Sequence, residues 1–258
     1  MMDYANICYK KNFLTTVVLR LDFVSPLLEL TTELPKEVSE KILRYFPIKE
    51  PKSAYMQKLK LEKKKEEKPK VSAETREFTE WNFFGRNREK QLTLTTDFFL
   101  IQYTKYQTYE QLYNEFKEIS AAFFQKYHEV QANRLGLRYI NEIEVNEDNP
   151  LDWKKYIDSS LLGLFSITIQ NSKTIRIFHN YEIVHDEGFN LRFQFGIHNP
   201  DYPAQIKRKV FVMDCDAYFQ GLVEPQDIAT NVNKYHSAIQ MMFENNITSE
   251  LRKKMNES

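Results

Sequence analysis

Two segments of this sequence carry charge in the alternation that a β-strand uses to separate its two faces. In Arg134-Leu135-Gly136-Leu137-Arg138-Tyr139-Ile140-Asn141, Leu135, Leu137 and Tyr139 point one way, and Arg134, Gly136 and Arg138 point the other. The glycine leaves a notch between two guanidinium groups. In Phe211-Val212-Met213-Asp214-Cys215-Asp216, Phe211, Met213 and Cys215 share one face and Asp214 and Asp216 the opposite one. Guanidinium forks match carboxylates bidentately, so these pairs predict an ion-pair ladder across a sheet that fixes strand register. The competing reading is an anion pocket, in which Arg134, Gly136 and Arg138 hold a phosphate or carboxylate. Arginines neutralised by Asp214 and Asp216 have less to offer such a ligand. Paired carboxylates can also bind Mg²⁺ or do acid–base work, which makes a metal-dependent enzyme a further alternative. No nucleophile or base stands beside Asp214 and Asp216 in a recognisable arrangement.

Other chemistry is sparse. The chain has no G-x-x-x-x-G-K-[ST], G-x-G-x-x-G, G-x-S-x-G or H-E-x-x-H motif. His128, His179, His185, His198 and His236 are scattered, and His179 and His185 lack the further ligands that a metal site needs. Cys8 and Cys215 are far apart, which argues against a disulfide scaffold or a zinc site and for a reducing compartment. The expectation is therefore no metal, no cofactor and no catalytic residue. The 36 basic and 36 acidic residues cancel, so any nucleic-acid site must be a local patch. The one such patch is lysine-rich, with Lys58, Lys60, Lys63, Lys64, Lys65, Lys68 and Lys70, and with Arg86 and Arg88 further on. Its composition reads as an exposed loop or frayed helix, inserted at 52–74, which is either merely solvated or an arm touching phosphates.

Positioning these side chains requires a sheet. Phe13–Val24, Glu77–Phe84, Gln91–Tyr103, Arg134–Val145, Leu164–Gln170, Thr174–Val184, Phe189–His198 and Val210–Tyr218 read as strands. Pro35 suits the first turn of a short helix containing Val38, Ile42 and Tyr45, and Pro47 and Pro51 stop it. Thr108 is a plausible N-cap for a long helix with Leu112, Phe116, Ile119 and Phe123 in one stripe. A short helix opens at Pro150, and a second long one follows Pro225, with Ile228, Val232, Tyr235 and Ile239 on one face. The tail from Ser249 is polar and expected to fray. Short turns between strands imply an α+β fold, a largely antiparallel sheet with two long amphipathic helices on one face. Residues 1–258 form a single compact domain on this reading. The repeated rhythm leaves open two similar halves, 1–148 and 149–258. The first residues lack an apolar run, and no run approaches the ~20 residues of a membrane span, so the expectation is a cytoplasmic protein with no membrane partner.

Several of these segments together resemble a sporadically distributed prokaryotic family of about this length. They are Leu92–Tyr113 (beginning LTLTTDFFLIQYTKY), Arg134–Asn141, the strand with Asp214 and Asp216, and Tyr235–Ile239 continuing to Phe243–Thr248. The R-x-G-L-R-Y-I-N-like segment is the most specific part, and the lysine-rich insertion is a departure. The resemblance brings no activity and no catalytic residue. The family's patchy occurrence implies genes that travel with mobile or antiviral defence systems, hence an accessory role. The leading expectation is a non-catalytic accessory or adaptor protein with a protein partner, and the alternative is a nucleic-acid-binding protein using the lysine-rich insertion.

Overall fold

The computed structural model describes residues 7–62, 70–167 and 172–257. Nine strands make one sheet: β1 (Leu14–Phe23), β2 (Ile48–Glu62), β3 (Lys70–Phe84), β4 (Lys90–Leu94), β5 (Phe98–Tyr103), β6 (Ala132–Glu144), β7 (Ile177–Val184), β8 (Asn190–Ile197) and β9 (Val210–Val223). Their order is β2-β3-β4-β5-β1-β6-β9-β8-β7, and every neighbouring pair is antiparallel. Each of two meanders thus returns to pair with an earlier strand, β5 with β1 and β9 with β6. The β1–β6 pair joins them at the centre. β6, which precedes residue 148, therefore binds to both runs, and one buried apolar cluster extends from Val17 to Met255.

Among the described residues four α-helices accompany the sheet: α1 (Lys36–Tyr45), α2 (Tyr109–Lys126), α3 (Ile228–Asn245) and α4 (Ser249–Asn256). Thr108 caps α2 by accepting the Gln111 N–H at 3.2 Å. The α2 stripe is buried: Phe116 stacks on Phe99 at 5.6 Å and Phe123 on Phe23 at 5.2 Å. From α3, the His236 ring meets the Tyr139 hydroxyl at 3.0 Å. Tyr103 and Tyr139 both register with Val17, so α2 and α3 reach the same, odd-numbered side of the central strands.

Several sequence expectations need correction. The segment 52–74 is no loop or helix where it is described, because β2 and β3 pair from Ile48↔Phe84 to Glu62↔Lys70. Lys58, Lys60 and Lys70 lie on this ribbon, and Lys63, Lys64, Lys65 and Lys68 lie outside the described residues. The short helix α1 ends at Tyr45, before Pro47 as expected, and Pro51 lies within the edge strand β2, where a proline is tolerated. The stretch 91–103 is a hairpin, not one strand. The Thr95 hydroxyl accepts the N–H groups of Asp97 and Phe98, each at 3.1 Å, and turns the chain between β4 and β5. Leu164–Ser166 belongs to a 3₁₀ turn rather than a strand, and 168–171 lie outside the described residues. No helix opens at Pro150; turns occupy this stretch, with the Trp153 indole donating to the Pro150 carbonyl at 2.9 Å. Residues 249–256 are the helix α4, capped by Thr248 and anchored by buried Leu251 and Met255. No helix among the described residues is long and apolar enough to cross a membrane.

A charged cleft on the far face of the sheet

The even-numbered side chains of the central strands look away from α2 and α3. In β1, buried Val17, Leu19 and Leu21 alternate with half-exposed Val18, Arg20 and Asp22. The pairing order then sets four strands side by side. Arg20 registers with Gly136, Asp22 with Arg134, and Arg138 with Asp216, while Asp216 in turn registers with Arg192. The result is a floor of four arginines (Arg20, Arg134, Arg138, Arg192) and three aspartates (Asp22, Asp214, Asp216). All of these but Asp214, which lies behind Arg138, line an open cleft of about 940 Å³, with Val18, Leu100, Gly136 and Gln220 among its other walls.

Three arginines are spent on carboxylates. Arg138 grips Asp214 bidentately, with Nε at 2.7 Å from Oδ1 and Nη2 on Oδ2. Arg192 donates to Asp216 at 2.9 Å, and Arg20 donates through Nε to Asp22 at 2.9 Å. Asp214 and Asp216 are 8% and 4% exposed, so desolvation would be costly without these donors. The bond to Asp214 holds the Arg138 guanidinium above its ordinary pKa. Burial pushes the Asp216 carboxyl up, against the pull of Arg134, Arg192 and Arg138. Burial likewise raises the Cys215 thiol on the other side of the same strand.

Arg134 is different. It registers opposite Gln220, yet its guanidinium folds back over Gly136, where a Cβ would stand 3.1 Å from both terminal nitrogens. The group lies 5.3 Å from the Tyr218 ring centre, 3.5 Å from Asp216 and 3.7 Å from Asp22. Among the described residues it makes no direct hydrogen bond. Gly136 is thus the seat of Arg134 rather than an empty notch. A fourth carboxylate on the cleft wall, Asp97, accepts the Thr96 hydroxyl at 2.6 Å and forms no ion pair with the four arginines.

Of the residues singled out in the sequence, Arg134, Gly136, Arg138, Asp214 and Asp216 come together here. Arg20, Asp22 and Arg192 were missed, although R-L-D in β1 and L-R-F-Q-F in β8 show the same alternation. The described members of the basic set do not come together. Arg88 sits on the β3–β4 turn, ion-paired with Glu50 and 4.6 Å from the Phe84 ring centre. Lys70 lies at the other end of β3, fourteen residues from Phe84, roughly 45 Å along an extended strand. Among the described residues no group of three or more His, Cys, Asp or Glu side chains is placed to hold a metal ion.

Fold and site together define an α+β protein, a nine-stranded antiparallel sheet with a charged cleft on the face away from its long helices. No protein-family model and no curated protein matches the chain.

Proposed function

We propose that this chain is a binding protein without chemistry of its own, an accessory or adaptor that receives an anionic group of a protein partner in the charged cleft. The observation that carries this reading is Arg134, a guanidinium without a direct hydrogen bond, held over Gly136 in an open cleft. Arg20, Arg138 and Arg192 donate directly to the carboxylates of Asp22, Asp214 and Asp216, and Asp97, the fourth carboxylate, forms no ion pair with Arg134. A carboxylate or phosphate from outside gives Arg134 the fork-to-oxyanion geometry that its planar group favours. Arginine at the centre of an interface commonly carries a large share of the binding energy. The near-balance of charge favours a protein over a nucleic-acid backbone, which needs several unneutralised cations.

Co-purification from the native host tests it, comparing wild type with Arg134→Ala. The expected result is a stoichiometric protein partner that is lost from the variant while the melting temperature stays within a degree or two. A partner retained by Arg134→Ala, or none with wild type, overturns the reading.

The nucleic-acid alternative is favoured by a separate observation, the two-stranded β2–β3 ribbon carrying Lys58, Lys60 and Lys70, since such a ribbon can enter a major groove. A gel shift at low salt with and without residues 58–70 decides it. No shift with the full chain ends this alternative.

A further inference from the structure

We infer that the chain pairs with a second copy of itself along the outer edge of β7, continuing the sheet across a two-fold axis at His179. The two ends of the sheet are treated very differently. β2 carries Pro51 with Lys49 and Lys52 nearby, the devices that blunt a sheet edge. β7, Ile177-Phe178-His179-Asn180-Tyr181-Glu182-Ile183-Val184, has neither proline nor lysine and a single acidic residue. Among the described residues only β8 pairs with it. Phe178, Tyr181 and Val184 are 46%, 56% and 76% exposed. An edge of this length, whose outward N–H and C=O groups have no strand partner among the described residues and whose apolar side chains are exposed, is a template for another strand.

Charge chooses the occupant. In an antiparallel self-pairing, residues keep their own face only where the two numbers of each pair sum to an even value. Centred on His179, Arg176 stands opposite Glu182 at both ends, Ile177 opposite Tyr181, Phe178 opposite Asn180, and His179 opposite its counterpart. Shifting each pair by two residues sets Arg176 against Asn180 or Val184 and loses both ion pairs. Arg176 and Glu182 are exposed. Arg176 lies over the Tyr202 ring at 4.2 Å, which leaves its N–H edge free, and Glu182 accepts only the Asn180 amide at 3.3 Å. Nε2 of His179 is buried without a hydrogen-bond partner. The register Ile177↔Ile197, carried back two residues, sets Ile175 opposite Asn199, whose amide donates to its carbonyl at 3.0 Å. The 199–206 loop therefore meets this stretch from the β8 side.

Sedimentation velocity on the full chain over a concentration series tests the pairing, in a Cys8→Ser background because Cys8 is an exposed free thiol. Wild type is expected to be a dimer. Arg176→Glu alone and Glu182→Arg alone each turn two attractions into two repulsions and weaken it about tenfold or more. The double reversal restores it. His179→Cys in the same background should form an intermolecular disulfide on mild oxidation, since directly opposed Cβ atoms in this register lie about 5 Å apart, whereas Val184→Cys should not. A monomer at every concentration, a dimer indifferent to both single reversals, or a dimer that the double reversal fails to restore would each overturn the inference.

Discussion

Arg134 and Arg138 sit four residues apart on one strand and stand in opposite relations to their neighbours. Removing Arg138 strands Asp214, which is 8% exposed and held by both guanidinium donors. Because Arg138 is itself 40% exposed on its side chain, water recovers part of the loss. Arg138→Ala is expected to cost about 2 kcal/mol in denaturant unfolding, with an unchanged m-value. Gly136→Ala should cost little, because the Cβ meets only the far end of a flexible side chain, yet it lifts Arg134 from its seat and should weaken partner capture. His236 gives a separate, pH-dependent signal. Burial lowers its pKa from 6.5 to about 4, so between those values the unfolded chain binds a proton that the folded chain does not. Stability present above pH 6.5 is then lost as the pH falls towards 4, by up to about 3 kcal/mol. His236→Gln should flatten that slope relative to wild type, and parallel slopes would contradict the assignment.

At the scale of elements, alternation within one strand was readable because the two-residue period of side chains needs no tertiary context. That suffices to put Arg134 with Arg138 and Asp214 with Asp216 on shared faces. It does not disclose that Arg20, Asp22 and Arg192 join them. Arg192 is the one charge on β8, and Arg20 and Asp22 bond to each other, so each strand looks solvated by itself until the non-sequential order β1-β6-β9-β8 assembles the floor. The β4–β5 turn was hidden because Thr95-Thr96-Asp97 contains neither glycine nor proline, and β2 because its proline and lysines imitate a loop. The helix α4 was obscured by its polar composition, with only Leu251 and Met255 facing inward. It is nonetheless part of the body: Arg252 donates to Glu244 at 2.9 Å, and Glu244, fully buried, also accepts the Tyr9 hydroxyl at 2.8 Å. Leu251→Ala is therefore expected to destabilise by about 2–4 kcal/mol. A frayed tail would show no change in the same unfolding experiment.

For the whole molecule, salt separates the two binding readings. Capture of one anionic group in a cleft of nearly balanced charge should weaken only modestly between low and moderate salt. Binding of a polyanion along the β2–β3 ribbon should fall steeply. Another consequence concerns time. β1 is made before both strands that flank it, β5 at Phe98–Tyr103 and β6 at Ala132–Glu144. Its apolar row stays wet until β6, more than a hundred residues further on, has been made, and the β6–β9 pair must wait longer still. Such distant closures carry a large entropic barrier, so refolding should take milliseconds to seconds rather than microseconds. During synthesis the uncovered middle strand is the part of this protein most in need of a chaperone.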